Sequence, residues 1–238
     1  MAVETTTEVE LVDLAASPLR DLNRRLHELA GSDSRPDRWR VVNTNGAHAV
    51  ACGLDAPIEV EVAGHVGYYC AGMNQRATVR ISGNAGTGVA ENMMSGTVIV
   101  GGNVSQSAGA SGRGGLLVVH GDAGARCGIS MKGVDIVVRG SVGHMSAFMA
   151  QAGRLVVLGD AGDGLGDSIY EARLYVRGVV KSLGVDCVEK PMRAEHEAEL
   201  AALLEQADLG GKARADEFRR YGSARKLYHF RIDNAGVY

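Results

Sequence analysis

The segment Gly159 to Gly166, GDAGDGLG, follows an apolar run and carries the glycine spacing of a phosphate-wrapping loop. Dinucleotide folds complete such a loop with a helix inside a βαβ unit. Here another extended segment comes next, and the same glycines recur along the chain, so they read first as corners of a repeat. A polar column, His65, Asn84, Asn103, Asp122, Ser141 and Asp160, ends in Val179 at regular intervals. Converging carboxylates would hold calcium, but Ser141 separates the two aspartates. Asn or Asp just after a turn glycine is expected to bond the local backbone. The histidines are His27, His48, His65, His120, His144, His196 and His229. A stand-alone β-helix enzyme, an acyltransferase or metal-dependent lyase, would rely on His65, His120 and His144. These occupy different columns, so no three converge as zinc ligands. No Cys-x-x-Cys pair is present for zinc or an iron–sulfur cluster. The sequence thus assigns no catalytic, cofactor-binding or metal-binding residue. Tyr68–Tyr69 and Met93–Met94 are candidates for a contact surface, with packing inside the coils as the competing reading.

These groups are positioned by a repeat. Gly64, Gly83, Gly102, Gly121, Gly140, Gly159 and Gly178 recur with a constant 19-residue period. Four residues before each stand Val60, Val79, Val98, Leu117, Ile136, Leu155 and Leu174. Two before each stand Val62, Ile81, Val100, Val119, Val138, Val157 and Val176. Branched aliphatic residues alternating at period 2 mark a strand with one buried face. Two residues after the glycine the column reads Val66, Ala85, Val104, Ala123, Val142, Ala161, Val180, large and small in turn. That alternation suits an interior filled without voids. A second glycine follows at Gly67, Gly86, Gly124, Gly143 and Gly162. Both columns are expected to supply backbone angles closed to other residues. Strand, corner and short extended piece, repeated in register, specify a parallel β-helix of about seven coils. At ~4.8 Å per coil it is on the order of 30 Å long.

Residues 58–187 form this repeat. Residues 1–57 are expected to be an N-terminal cap, with a helix started by Ser17-Pro18, striped by Leu19, Leu22, Leu26 and Leu29, and stopped by Gly31. Trp39–Thr44 and Ala47–Cys52 are expected to pair as a hairpin across Asn45-Gly46. Residues 188–238 hold a second helix, opened by Pro191, carrying Leu200, Leu203, Leu204 and Ala207, and closed by Gly210-Gly211. The two helices are expected to cap the open ends of the stack or to dock on another chain.

The 238 residues include 33 glycines and only 5% aromatics, and the repeat accounts for both. Net charge −3 argues against nucleic acid. Arg219, Arg220, Arg225 and Lys226 are the one basic concentration, read as a solvated or partner-facing surface. No apolar run reaches the ~20 residues of a membrane span and the first residues are acidic, so a cytoplasmic protein with reduced thiols is expected. Cys70 and Cys127 share a column ~14 Å apart, too far for a disulfide.

The runs VRISGNAG, GTVIVGGNV, GLLVVHGDAG, DIVVRGSVG and RLVVLGDAG strongly resemble the GXGXG domain. That domain closes the large subunit of glutamate synthase and recurs in formylmethanofuran dehydrogenase. The resemblance covers about residues 58–187 and implies a right-handed parallel β-helix. DLAASPLRDLNRRLHELA and SARKLYHF resemble the stand-alone version, similar to the middle subunit of N-methylglutamate synthase-like complexes. It implies a non-catalytic scaffold in a hetero-oligomer. The scaffold bridges a glutamine-amidotransferase-like subunit and an FMN-binding glutamate-synthase-like subunit. FMN, with an iron–sulfur cluster as a further candidate, belongs to a partner subunit. The corner glycines alone carry over. A formylmethanofuran dehydrogenase-like assembly is the alternative within the family. The chain departs from the pattern at the third glycine of the coil. Gly109, Gly128 and Gly166 keep it, while Ala71, Ala90 and Ala147 replace it, which is expected to be a mild change.

Overall fold

The computed structural model describes residues 9–30 and 37–225. Nine parallel strands stack along one axis: β1 (Val9–Asp13), β2 (Arg38–Val42), β3 (Glu59–Val62), β4 (Thr78–Ile81), β5 (Thr97–Val100), β6 (Leu116–Val119), β7 (Lys132–Val138), β8 (Ala152–Val157) and β9 (Arg173–Val176). From β3 to β9 each strand pairs with its equivalent one repeat further on, Val60 with Val79 and Leu155 with Leu174. Inward side chains such as Val60, Val62, Val79 and Leu117 are fully buried. The architecture is the parallel β-solenoid read from the repeat. The alternating Val/Ala column forms a second ladder of isolated parallel bridges, Val66 to Ala85 through Ala161 to Val180.

The third side of the coil follows a different rule. Counting from the corner glycine, positions five, seven and nine adopt left-handed backbone in coil after coil. Tyr69, Ala71 and Met73 have φ of 59°, 53° and 55°, and Met145, Ala147 and Met149 have φ of 56°, 56° and 53°. Hydrogen bonds between coils hold this strip. Position five donates to the next coil, as in Arg126 N to His144 O at 2.9 Å, and position seven to the previous one, as in Ala147 N to Cys127 O at 2.7 Å. Each non-glycine residue in this region costs ~1–2 kcal/mol, and satisfied backbone groups offset the strain. The alanines at 71, 90 and 147 are therefore less mild than expected.

The corner glycines also obey a different cause. Of the seven, only Gly64 has positive φ, at +121°. Gly83, Gly102, Gly121, Gly140, Gly159 and Gly178 lie in ordinary backbone and are required by crowding. A Cβ on Gly121 would overlap Asn103 Oδ1 and stand 2.8 Å from the carbonyl carbon and oxygen of Gly102. The neighbouring column explains Asn103. Its Oδ1 accepts from Asp122 N at 2.9 Å, Asp122 Oδ1 from Ser141 N at 2.7 Å, Ser141 Oγ from Asp160 N at 3.0 Å and Asp160 Oδ1 from Val179 N at 2.7 Å. The polar column bonds the next coil, not its own turn, and reaches it across the face of the glycine. The two columns form one device.

The expected hairpin is absent. β2 pairs in parallel with β1 on one side and β3 on the other, and Ala47–Cys52 forms no strand. Asn45 and Gly46 do take positive φ, 45° and 73°, but as a coil corner. Ala49, Ala51 and Gly53 then continue the left-handed strip, with Ala49 N bonded to Tyr68 O and Gly53 N to Gly72 O, both at 2.7 Å. The solenoid thus begins at β2, ahead of the expected boundary at residue 58. Thr44 lies beside the Gly64 corner, its Oγ1 3.3 Å from where a Cβ on that glycine would be.

Helix α1 (Leu19–His27) closes the first end, its Leu22 and Leu26 buried against the same core as Trp39, Val50 and Leu54. Asn23 replaces the missing coil: its Nδ2 donates to Ala49 O at 2.8 Å and its Oδ1 accepts from Ala51 N at 3.0 Å. Gly31, the expected stop, lies outside the described residues.

Helix α2 (Ala194–Gln206) does not cap an end. It lies along the outer face of the sheet, where Leu200, Leu203 and Leu204 pack on Val118, Val137, Val156 and Tyr175. Glu199 fixes it there, accepting from Tyr175 Oη and pairing with Arg173. The last coil is closed by β10 (Cys187–Lys190) and β11 (Arg219–Ser223). β11 pairs antiparallel with β9 and β10, and Tyr221 is buried in the core.

Candidate interaction surfaces

The segment Gly159–Gly166 is a coil corner followed by strand β9, with Gly159 N bonded to Gly140 O at 2.9 Å. The loop has no helix to complete a dinucleotide site. His65 Nδ1 accepts from Asn84 N at 2.9 Å, starting the polar ladder. His48 stacks on Tyr68 at 4.5 Å and accepts from Tyr68 N through Nδ1. His120 is half-buried, its pKa lowered by burial and by Lys212 and Arg139. His144 is exposed. The structure does not bring His65, His120 and His144 together. Among the described residues no group of three or more His, Cys, Asp or Glu is placed to hold a metal. His229 and Lys226 lie outside those residues.

The basic cluster makes its bonds to its own chain at the surface. Arg219 donates to Gly178 O and Arg220 to Pro191 O, both at 3.2 Å, and Arg225 pairs with Asp186. These bonds tie β11 to the last coil, while the Arg219 and Arg225 side chains remain exposed, as the solvated-surface reading expects.

Cys70 and Cys127 are free and fully buried. Burial pushes the Cys127 thiol up to about 12 and raises Cys70 as well. Cys187 is pushed up to about 11, mainly by burial. The thiolate is the reactive form. At pH 8 iodoacetamide is expected to leave Cys70 and Cys127 unmodified in the folded protein and to alkylate both in 6 M guanidinium. Peptide mass mapping reads the result, and rapid native labelling at either position would contradict the packing.

The expected contact residues split. Met93 is in the core, whereas Tyr68, Tyr69 and Met94 are about half exposed. Their surroundings form a pattern that the sequence reading missed. Met73, nine positions past its corner, is exposed, and Met94 lies beside it one coil on, its N–H bonded to Asn74 O at 2.8 Å. Four coils further, Met149 and Tyr170 repeat the arrangement, with Tyr170 N bonded to Ala150 O at 2.8 Å. The intervening positions carry Asn92, Ser111, Arg113, Ser130, Lys132 and Gln151. The left-handed side therefore presents two apolar patches, ~19 Å apart at ~4.8 Å per coil. Met is unbranched and adaptable, which suits partner surfaces. Placing each residue at its offset from the corner glycine would have found them.

No helix among the described residues is long and apolar enough to cross a membrane. No family model matches the chain, and no solved structure matches it. The chain is 63% identical over 228 residues to Protein GlxC of Rhizobium meliloti (strain 1021), covering 96% of this chain and 99% of that protein.

Proposed function

The chain belongs to the GlxC protein family, and on that footing we propose that it is the non-catalytic scaffold subunit of a glutamate-synthase-like complex. It bridges a glutamine-amidotransferase-like subunit and an FMN-binding synthase subunit that forms glutamate or N-methylglutamate. The glutamate-synthase relation rests on the resemblance of the coil motifs to the GXGXG domain. The observation that carries the bridging role is the pair of apolar patches on one side of the solenoid. Met73 with Met94 and Met149 with Tyr170 are separated along the axis by polar coils. Exposed apolar groups rimmed by polar residues mark protein-interaction sites, and two of them on one inter-coil-bonded strip hold two partners at a set distance. Flavin chemistry belongs to the partner chain in this reading.

The test is purification of the tagged chain from its host at low salt, with a visible spectrum and identification of what accompanies it. Flavin absorbance together with an amidotransferase-like and a synthase-like chain is expected. Met73→Asp with Met94→Asp is expected to release one partner and keep the other. Met149→Asp with Tyr170→Asp is expected to do the reverse. A fully active flavin–amidotransferase pair that assembles without this chain would overturn the proposal.

A further inference from the structure

The outer face of the sheet changes character along its length. From β6 to β9 it is apolar and covered by α2. At β2 to β4 it is charged and uncovered by that helix. There the first strands and the turn before β3 enclose a cleft of 390 Å³ whose rim carries Arg38, Arg76, Arg80, Glu59 and Thr78. Register explains the grouping. Arg38 pairs with Glu59 and Glu59 with Thr78, so the three side chains form one outward column. Arg80 leans across from the adjacent column.

Glu59 holds the arginines in place. One of its oxygens accepts from Arg38 Nε at 3.2 Å and Nη2 at 3.0 Å, and the other from Arg80 Nε at 2.8 Å. The bond from Arg80, followed by that from Arg38, keeps its carboxyl below the usual range. A guanidinium carries five N–H donors in a rigid plane, so one carboxylate leaves most donors of both arginines unused. Arg76 forms no ion pair or side-chain hydrogen bond with the described residues, and its side chain is exposed at the cleft. With Asp37 also lining the cleft, three cations face two carboxylates. Among the described lining residues the balance is +1, in a chain of net charge −3. Exposed ion pairs add little stability. Two arginines fixed by a shared carboxylate, with a third left unneutralised, instead form a preset array of planar donors. Planar forks of this kind match carboxylate and phosphate oxygens.

We propose that this cleft is a binding site for a small oxyanion, a carboxylate or phosphate compound, held by Arg76, Arg80 and the free edge of Arg38. Pro57 and Ile58 supply the apolar wall. Arg76 follows Met73 by three residues on the same coil, so the cleft adjoins the first apolar patch, but anion binding by the chain alone needs no partner and is read independently of the scaffold role.

Isothermal titration of the full chain with inorganic phosphate and, separately, with glutarate tests it, against sodium chloride at matched ionic strength. Saturable one-to-one binding of at least one anion is expected, and which anion binds identifies the class. Arg76→Gln is expected to weaken it about tenfold or more, as loss of a charge-assisted bond of roughly 1.5–3 kcal/mol requires. Arg80→Gln provides a second reading should the first variant lose its circular dichroism spectrum. Arg113→Gln, an exposed arginine two coils further along the stack that does not line the cleft, is the control. Absence of saturable heat with either anion overturns the proposal, as does equal weakening by Arg76→Gln and Arg113→Gln.

Discussion

Gly121→Ala is expected to lower the melting temperature by about 5–15 °C, although alanine is compatible with the backbone angles there. The added methyl would overlap Asn103 Oδ1 and lie 2.8 Å from two backbone atoms of Gly102. Asn103 must give up the bond to Asp122 N, worth ~1 kcal/mol, and the two coils must separate. Overpacking typically costs ~1–3 kcal/mol. The sum, about 2–4 kcal/mol, corresponds to that thermal shift for a chain of this size. Gly211→Ala is the control, because a Cβ there meets nothing within 4 Å. Two companion variants separate crowding from backbone angle. Asn103→Ala in the Gly121→Ala background should restore only part of the loss, since Gly102 remains in the way. Gly121→Asn, which a left-handed corner would tolerate, should be at least as damaging as alanine. Differential scanning calorimetry decides. A melting temperature for Gly121→Ala equal to that of Gly211→Ala would show that the coils are not stacked as described.

Leu26→Ala should cost about 3 kcal/mol. Leu26 is fully buried beneath α1 in the core cluster that includes Leu54 and Val50, and Leu-to-Ala changes at such sites cost ~2–5 kcal/mol. The effect exceeds a cavity penalty in one respect. α1 lies on the end of the solenoid, so loosening it also releases the Asn23 amide from Ala49 O and Ala51 N. Unpaired edge groups beside an opened core invite association with another copy. The variant should therefore show both a lower unfolding midpoint in urea and a sedimentation coefficient that rises with concentration. A cavity-sized loss with strictly monomer-like sedimentation would mean that α1 packs on the solenoid without guarding its end.

The strands and the Val/Ala ladder were legible because their determinants are side chains at fixed offsets, the kind of signal that periodicity captures. The left-handed strip was harder to see because only some of its positions are glycine. Gly88, Gly109, Gly128, Gly164 and Gly166 fall on it among Tyr, Ala, Ser, Arg and Met, and the strain is met by hydrogen bonds from other coils. The hairpin misreading has a similar cause. Asn45-Gly46 does turn the chain, but the strand before it finds its partners at a full coil's distance downstream, in β3, and upstream, in β1. The position of α2 was available in the sequence. Three residues before the corner glycines, the outward column runs Glu61, Arg80, Ile99, Val118, Val137, Val156, Tyr175, and its apolar half requires a cover. The interaction surfaces were only partly legible, because Met73, Met94, Met149 and Tyr170 gain meaning once coils are superposed. The arginine cleft depends on Glu59 binding two neighbours at once, which no single stretch of sequence encodes.

The alternation of Val66, Ala85, Val104, Ala123, Val142, Ala161 and Val180 sets a rule for how this molecule can change in length. Removing one coil would leave every inter-coil bond with a counterpart, yet would place valine on valine or alanine on alanine where the ends rejoin. Removing two adjacent coils preserves the phase. The translational unit of the interior is thus a coil pair about 10 Å tall, and lengthened or shortened relatives should differ by whole pairs.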